Sequence, residues 1–552
     1  MGACKIRRFS AVRLMDSRTF DLLITGARIV DGTGNPWRRG DVAVSGHRIA
    51  EIAPPGAIPA RNVREVVNGH GMVLAPGFID TQSHSISAFM TDGRSVSKVT
   101  QGVTTEIMGE LWTPAPFGGR RKEPFGWATL SPEDEEAASR WTRFSDWIEH
   151  LERRRVAVNF GSFLGGGTLR EYACGWDRGD PTPDELQLMC RVTAEAMEDG
   201  AFGLATALIY PPNSFSPDSE LTEVARVVGQ HGGVYITHIR SEGDRFLESL
   251  EDTIRLGEQA DVPVEVYHLK VTGKPNWDKM PEAIARIDRA RAAGVDVTAD
   301  MYPYVASGTG LTVLLPDWAA EGGDLYDNLR EPTFRARVRE EMLTVEALSS
   351  QRSPSRDYVV PLGFRLPENQ GYIGKNLVQI AGERGQHWAD AALDLLCAEG
   401  QRIGTVFFTM TEANLRLQLQ QPWIKISTDA AGISPEGQTN PVHPRTYGTY
   451  TRVLGKYVRE ERVLSLEEGV RIMTSAVADR LGLSDRGVIR PGLAADLVLF
   501  DPDTVSDRAT FTDSHQLSTG IRDVWVNGTA VLRDGLHTGA LPGVALRGAG
   551  AR

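Results

Sequence analysis

Two rhythms of apolar residues divide this chain. From 21 to 75, three short runs, DLLITGARIV, DVAVSGHRIAEIA and REVVNGHGMVLA, are separated by Gly, Asn and Pro turns and read as strands. The same texture returns near the end, in GVIRPGLAADLVLFDP and IRDVWVNGTAVLRDG. Two strand-rich stretches at opposite ends predict one small β domain, 21–71 plus 485–540, behind a tail of residues 1–20. From Met72 to about Asp429 the pattern changes. Apolar residues there recur every three or four positions in helical stretches such as Asp184 to Asp199 and Ser219 to Gln230, with Asp218 or Ser219 as the cap of the second. Each stretch is followed by Gly and a strand, GLATALIY and GVYITH. Such alternation specifies parallel strands with helices packed outside. The predicted fold class is therefore α/β, a (β/α)8 TIM-like barrel over 72–484 inserted between the halves of the β domain. After Tyr304 the repeat breaks. Residues 307–404 are rich in charge and Pro and too long for a loop, so a subdomain inserted in the barrel is expected. The pattern offers one strand more than the eight a barrel holds, and it does not choose between VDVTADM and TVFFTM.

Four residues stand just past buried-looking strands: Glu110 after GVTTEIM, His238 ending GVYITH, His268 ending VEVYH, and Asp429 ending WIKISTD. Side chains at successive strand ends are what a barrel uses to build a site on one face. His238 and His268 are about thirty residues apart, one strand–helix unit, which puts them on neighbouring strands. Imidazole and carboxylate ligate zinc, and a catalytic zinc takes three protein ligands plus water. A lone histidine at a strand end is more often an ordinary hydrogen-bonded residue. Two at this spacing, with Glu110 and with Asp429 suited to move protons, point instead to hydrolysis by metal-activated water with Asp429 as general acid/base.

Other motifs carry less. GSFLGGGTLR lacks both the P-loop ending and GxGxxG spacing and reads as a flexible strand-to-helix loop, and no GxSxG is present. Composition narrows the partners. Hydrophobic content of 41% and charge content of 24% are ordinary for a soluble globular chain, and a net charge of -12 disfavours nucleic-acid or anionic-membrane partners. Clusters at Arg120 to Lys122 and Arg153 to Arg155 read as solvated surface. Cys4, Cys174, Cys190 and Cys397 show no CxxC spacing, so a reducing, cytoplasmic setting is expected. Lys5, Arg7, Arg8 and Arg13 precede no apolar run, and Ile6 stands where a myristoylation signal needs Ser or Thr. No apolar stretch is long enough to span a bilayer.

LAPGFIDTQSHS resembles the first barrel strand of the amidohydrolase superfamily, whose usual pattern is PGFIDxHxH. VTQGVTTEIMG, FGLATALIYPP, GVYITHIRSEG, VYHLK, ADMYPYVASGTGL and NPVHPRTYGTYTRVLGKYVRE resemble, in that order, the N-acyl-D-amino-acid deacylase (D-aminoacylase) family, over roughly Asp21 to Gly535. The resemblance implies a zinc-dependent hydrolase of the amide bond in small acyl amino acids. On matching positions it makes His238 and His268 ligands of a tightly held zinc and Asp429 the general acid/base. It has Tyr210 polarise the scissile carbonyl, while Lys270, Tyr302, Ser307 and Arg445 bind the substrate carboxylate. A buried carboxylate does call for Arg or Lys, with hydroxyls on its remaining lone pairs.

Two departures bear on the metal. The HxH pair is here Gln82 and His84, and the family's ligating Cys after the second strand is absent, with Glu110 at or near its place. Both changes resemble some N-acetylglucosamine-6-phosphate deacetylases, which use one metal, a Glu, two His and a Gln, although their Glu comes from a different strand. Carboxylate in place of thiolate keeps the charge and hardens the site, which zinc tolerates. One tightly bound metal is therefore expected, with His84 a hydrogen-bonding group or a ligand of a weak second divalent ion. Two other readings stay open: a hydrolase of cyclic amides, imides or unusual peptides, and a barrel that binds without catalysis.

Overall fold

The computed structural model describes residues 19–124, 130–344 and 356–552. The N-terminal basic cluster and residue Ile6 lie outside the described residues. Eight parallel strands form the barrel: β1 (Phe78–Asp80), β2 (Val103–Met108), β3 (Asn159–Ser162), β4 (Gly203–Ala207), β5 (Val234–His238), β6 (Val264–Val266), β7 (Val297–Met301) and β8 (Ile424–Ile426). Neighbours pair in parallel from β1 to β3 and from β4 to β8. Beyond Phe163, β3 continues into Leu164–Gly165, which pairs with β4. A parallel bridge between Ser83 and Ala430, just past β1 and β8, closes the ring. Nearly every strand residue is buried, because helices cover the outside and side chains fill the inside.

VDVTADM is thus barrel strand β7, and TVFFTM lies outside the barrel. Gly404–Phe407 is the middle of a three-stranded antiparallel sheet, between Ser307–Gly310 and Val359–Pro361. Ile403 and Phe407 feed a separate core with Leu311, Phe364, Trp388 and Leu396. An apolar run cannot announce which of two cores it will join. The inserted subdomain packs its own core, and its sheet hangs over the C-terminal ends of the barrel strands.

A nine-stranded sheet draws on both ends of the chain, from Phe20–Ile29 to Leu536–His537. Val73–Pro76 joins the halves, parallel to Phe20–Ile29 and antiparallel to Leu497–Phe500. Past it, the chain runs back over the barrel, where Leu546 N–H donates to the Phe160 carbonyl at 2.7 Å.

The helix Pro183–Glu198 begins at a capping box between Thr182 and Glu185, with Pro183 in its first turn. The next, Asp218–Gln230, starts after Pro217 with no side-chain cap, so neither Asp218 nor Ser219 caps it. Asp218 lies in the first turn, where the helix dipole favours an acid, and pairs with Arg240 at 3.2 Å. GSFLGGGTLR also differs from expectation: its residues are buried, in strand and in the helix Gly166–Cys174. The glycines are needed for close approach. A Cβ at Gly165 would sit 2.6 Å from the Leu111 carbonyl oxygen, and one at Gly167 would sit 2.8 Å from the same atom. No helix among the described residues is long and apolar enough to cross a membrane.

Candidate active site and metal centre

The glycine contact positions the first functional side chain. Leu111, at φ 62°, turns back so that its carbonyl accepts from the Gly167 N–H at 2.7 Å. Glu110, the preceding residue, is thereby held at the C-terminal mouth of the barrel. His238 ends β5, His268 lies two residues past β6, and Asp429 lies three past β8. His268 at φ 35° and Asp429 at φ 49° adopt the left-handed conformation, uncommon for any residue with a Cβ although Asp and His enter it more readily than most. Such a conformation is kept where surrounding structure fixes it, and it clusters at functional sites. Asp300 fixes the first of these, its carboxylate accepting from the His268 N–H at 2.8 Å.

Glu110, His238 and His268 present one ligand atom each within 4.8 Å of one another. Glu110 Oε1 stands 3.7 Å from His238 Nδ1 and 3.7 Å from His268 Nε2. Ligands about 2.0–2.2 Å from a tetrahedral zinc stand roughly 3.3–3.6 Å apart. The two separations from Glu110 are thus close to those of a single tetrahedral ion, and all three ligand atoms lie within reach of one point. Burial, reinforced by Lys270 and His238, pushes the His268 imidazole below its usual value, so it keeps the lone pair that ligation needs. Burial opposes the charge on Glu110, but contacts from His238, His268 and His84 outweigh it and hold the carboxyl well below the usual range.

The other Glu110 oxygen faces a second group. Gln82 Nε2 donates to Glu110 Oε2 at 2.6 Å. His84 Nε2 lies 3.4 Å from Glu110 Oε2 and 2.9 Å from Asp429 Oδ1, its side chain 42% exposed to the cavity. His84, Glu110 and Asp429 also offer ligand atoms to one point. Withdrawal from water pulls the His84 imidazole down, but Asp429 and Glu110 more than compensate and raise it to about 9. A cationic imidazole between two carboxylates already supplies the positive charge that a second metal would bring.

Burial likewise works against the Asp429 carboxylate, yet Arg445 and His84 draw it down to about 2. Arg445 Nη1 is 2.7 Å from Asp429 Oδ2, and its Nη2 donates to the Gly308 carbonyl at 3.1 Å. The guanidinium stacks 4.5 Å above the Tyr302 ring. Arg445 Nε and the Tyr302 hydroxyl are buried without a hydrogen-bond partner. Buried donors left open beside one another mark a place where an anion fits. Tyr210 follows β4, and its hydroxyl shares a 2.6 Å hydrogen bond with Thr309 Oγ1. Burial raises its phenol, which stays protonated and able to donate.

Glu110, His238, His268, His84, Asp429, Tyr210, Lys270, Tyr302, Ser307 and Arg445 all line one cavity of about 950 Å³. The barrel mouth forms its floor and the inserted subdomain forms much of its wall. Ser307 contributes from the subdomain's own strand, half-buried. The sequence reading missed Glu242. Its buried carboxylate lies 2.5 Å from Lys270 Nζ, 3.3 Å from His238 Nε2 and 3.4 Å from His268 Nδ1. It sits behind both imidazoles, on the sides turned away from Glu110. Its only signal in the sequence was its place four residues past His238, within GVYITHIRSEG.

Known proteins resemble this chain along nearly its whole length. A model described as Amidohydrolase family matches residues 422–532. D-aminoacylase from Alcaligenes xylosoxydans xylosoxydans is 34% identical over 531 residues, 96% of this chain and 98% of that protein. N-acyl-D-glutamate deacylase and N-acyl-D-aspartate deacylase from the same organism are each 33% identical, spanning 93% and 94% of this chain and 93% of each relative. Among solved structures, one of D-aminoacylase aligns with a TM-score of 0.78 at 33% identity, covering 96% of this chain and 100% of that one. N-acyl-D-glutamate deacylase from Bordetella bronchiseptica, complexed with zinc and a phosphonate mimic of the tetrahedral intermediate, aligns with a TM-score of 0.79 at 31% identity over 96% and 100% of the two chains. A further D-aminoacylase structure, with a TM-score of 0.79 at 34% identity and the same coverage, concerns a binuclear centre activated by one metal and attenuated by the second. With a (β/α)8 barrel, a carboxylate–imidazole cluster at its mouth and these relatives, the chain belongs to the amidohydrolase family, in its D-aminoacylase branch.

Proposed function

We propose that this protein hydrolyses the amide bond of small N-acyl-D-amino acids, using one divalent ion, zinc, held by Glu110, His238 and His268. The observation that carries the reading is the set of open donors on Arg445 and Tyr302 beside Asp429 and that triad. A cation bound there supplies Lewis acidity and lowers the pKa of water to about 7. The chain's own residues do the rest. Arg445, with Lys270, Tyr302 and Ser307, takes the α-carboxylate, which places the amide over the triad. Tyr210 releases Thr309 and donates to the carbonyl oxygen as negative charge develops on it. Asp429 accepts a proton from the attacking water and returns it to the leaving nitrogen. The substrate carboxylate claims part of the Arg445 charge that otherwise holds Asp429 down, so binding also restores basicity where it is used. His84 acts as a hydrogen-bond partner to both carboxylates, and a second divalent ion at His84, Glu110 and Asp429 binds weakly.

The test is a panel of N-acetyl-D-amino acids, their L enantiomers and cyclic amides, offered to zinc-loaded protein and to Asp429→Asn. Hydrolysis of the D-acyl compounds is expected, with turnover about 10²–10⁴-fold lower in the variant and its metal retained. Undiminished turnover would remove Asp429 from the reaction, and hydrolysis confined to the rings would move the substrate class. Two tightly held zinc equivalents per chain would contradict the single-ion centre.

A further inference from the structure

Relatives of equal similarity carry the names of different amino acids, so the rest of the substrate is chosen by the cavity wall of this chain. The wall's cations differ in one respect. Lys270 is paired with Glu242 at 2.5 Å and Arg445 with Asp429 at 2.7 Å. Arg402, contributed by the inserted subdomain, lines the same cavity, and among the described residues no carboxylate lies within ion-pair distance of it. Its contact is Thr309, at 3.5 Å from Nη2 to Oγ1, the hydroxyl that also meets Tyr210.

The backbone makes room for it there. Gly310 pairs with Gly404 across the subdomain sheet, and a Cβ at Gly310 would come within 2.9 Å of Arg402 Cγ and Nε. The glycine has φ −90°, a value open to any residue, so no turn requires it; what it gives is space for the arginine stem to lie flat. Most exposed arginines are solvated surface charges. This one is laid across a sheet, beside the hydroxyl that holds Tyr210, on the wall of a cavity where Lys270 and Arg445 each already contact a carboxylate. Val313, Leu314, Leu325 and Tyr326 line the wall as well and give an aliphatic stem apolar surface.

We propose that Arg402 is a second anion subsite and a specificity-determining residue. On this reading, which rests on the amidase function above, the preferred substrate carries a carboxylate besides its α-carboxylate. The extra group lies either in the amino-acid side chain or at the far end of the acyl group. Arg402 pairs with it through the planar fork that suits a carboxylate.

Three substrates separate the sources: N-acetyl-D-leucine, N-acetyl-D-glutamate and N-succinyl-D-leucine, each with zinc-loaded wild type, Arg402→Met and Arg402→Lys. Wild type should prefer one of the two dianionic compounds at least tenfold by kcat/KM. A preference for the glutamate compound assigns the subsite to the side chain, and one for the succinyl compound assigns it to the acyl group. Arg402→Met should lower kcat/KM for that compound by about 10²-fold and leave N-acetyl-D-leucine within twofold, while Lys retains part of the preference. A wild-type preference for N-acetyl-D-leucine, or an equal fall on all three in Arg402→Met, would overturn the subsite. If none of the three is hydrolysed, the amidase reading fails instead. Calorimetric binding of the same compounds then still decides the subsite: tighter binding of a dianion that Arg402→Met abolishes supports it, and equal binding refutes it.

Discussion

Replacing Glu242 by Gln measures how far the metal triad depends on the carboxylate behind it. Glu242 Oε1 lies 3.3 Å from His238 Nε2 and 3.4 Å from His268 Nδ1, while the opposite nitrogens face Glu110. Once Nδ1 of His238 and Nε2 of His268 are given to a cation, the outer nitrogens carry protons. Lys270, now 2.8 Å from His268 Nδ1, cannot accept such a proton. Glu242 can, and a carboxylate in that place fixes tautomer and ring orientation and strengthens the imidazole as a ligand. Gln keeps the shape, loses the charge and turns an NH₂ toward either an imidazole N–H or the Lys270 ammonium. A hydrogen bond to a charged group contributes about 1.5–3 kcal/mol. Losing one therefore weakens metal binding about 10- to 150-fold, since about 1.4 kcal/mol is a factor of ten. That agrees with the 10–100-fold typical of partners standing behind metal ligands. Competition with a chromophoric chelator at fixed pH gives the affinity of wild type and Glu242→Gln, and circular dichroism checks the fold. A folded variant that binds zinc within twofold of wild type would refute the reasoning.

Lys98→Met should destabilise the protein by about 3–5 kcal/mol, read from denaturant or thermal unfolding. Its fully buried ammonium contacts Asp80 at 2.5 Å, Thr428 at 2.5 Å and the Ala430 carbonyl at 2.8 Å, joining β1 to the chain after β8. Unchanged stability would mean that the network contributes nothing net. Arg445→Met should raise KM for acyl amino acids by about 10²-fold, from charge-assisted hydrogen bonds of about 1.5–3 kcal/mol each; steady-state kinetics showing an unchanged KM would place the carboxylate elsewhere. Burial, then Arg445, hold the His443 imidazole well below its usual value. Below about pH 6.5 the unfolded chain takes up a proton that the folded one refuses, so stability is lost as pH falls, by up to about 1.4 kcal/mol per pH unit for this group. His443→Gln should flatten the melting temperature between pH 6.5 and 5; an unaltered pH slope would exclude His443 as its source.

How much of this was legible before folding follows from what each feature depends on. The barrel was, because parallel strands buried on both faces must be continuously apolar and the helices between them must carry a stripe every three or four residues. The runs leading to Glu110, His238, His268 and Asp429 are mostly apolar and buried throughout, with Glu106, Glu265 and Lys425 as buried charges among them, and an all-parallel closed sheet leaves their ends on one side. The convergence of three ligand atoms could therefore be anticipated, while ligation itself is the proposal built on it. Periodicity is local, and it stopped where the answer lay between distant segments. TVFFTM is apolar enough for a barrel strand, but the inserted subdomain supplies it with antiparallel partners and a core of its own. GSFLGGGTLR read as flexible because its glycines lack side chains, whereas the fold uses that lack to press Leu111 against the helix Gly166–Cys174. Arg402 carries no pattern at all, and Glu242 only its place four residues past His238. One is an acid behind two imidazoles, the other a base above a glycine, and only the packed chain brings those neighbours together.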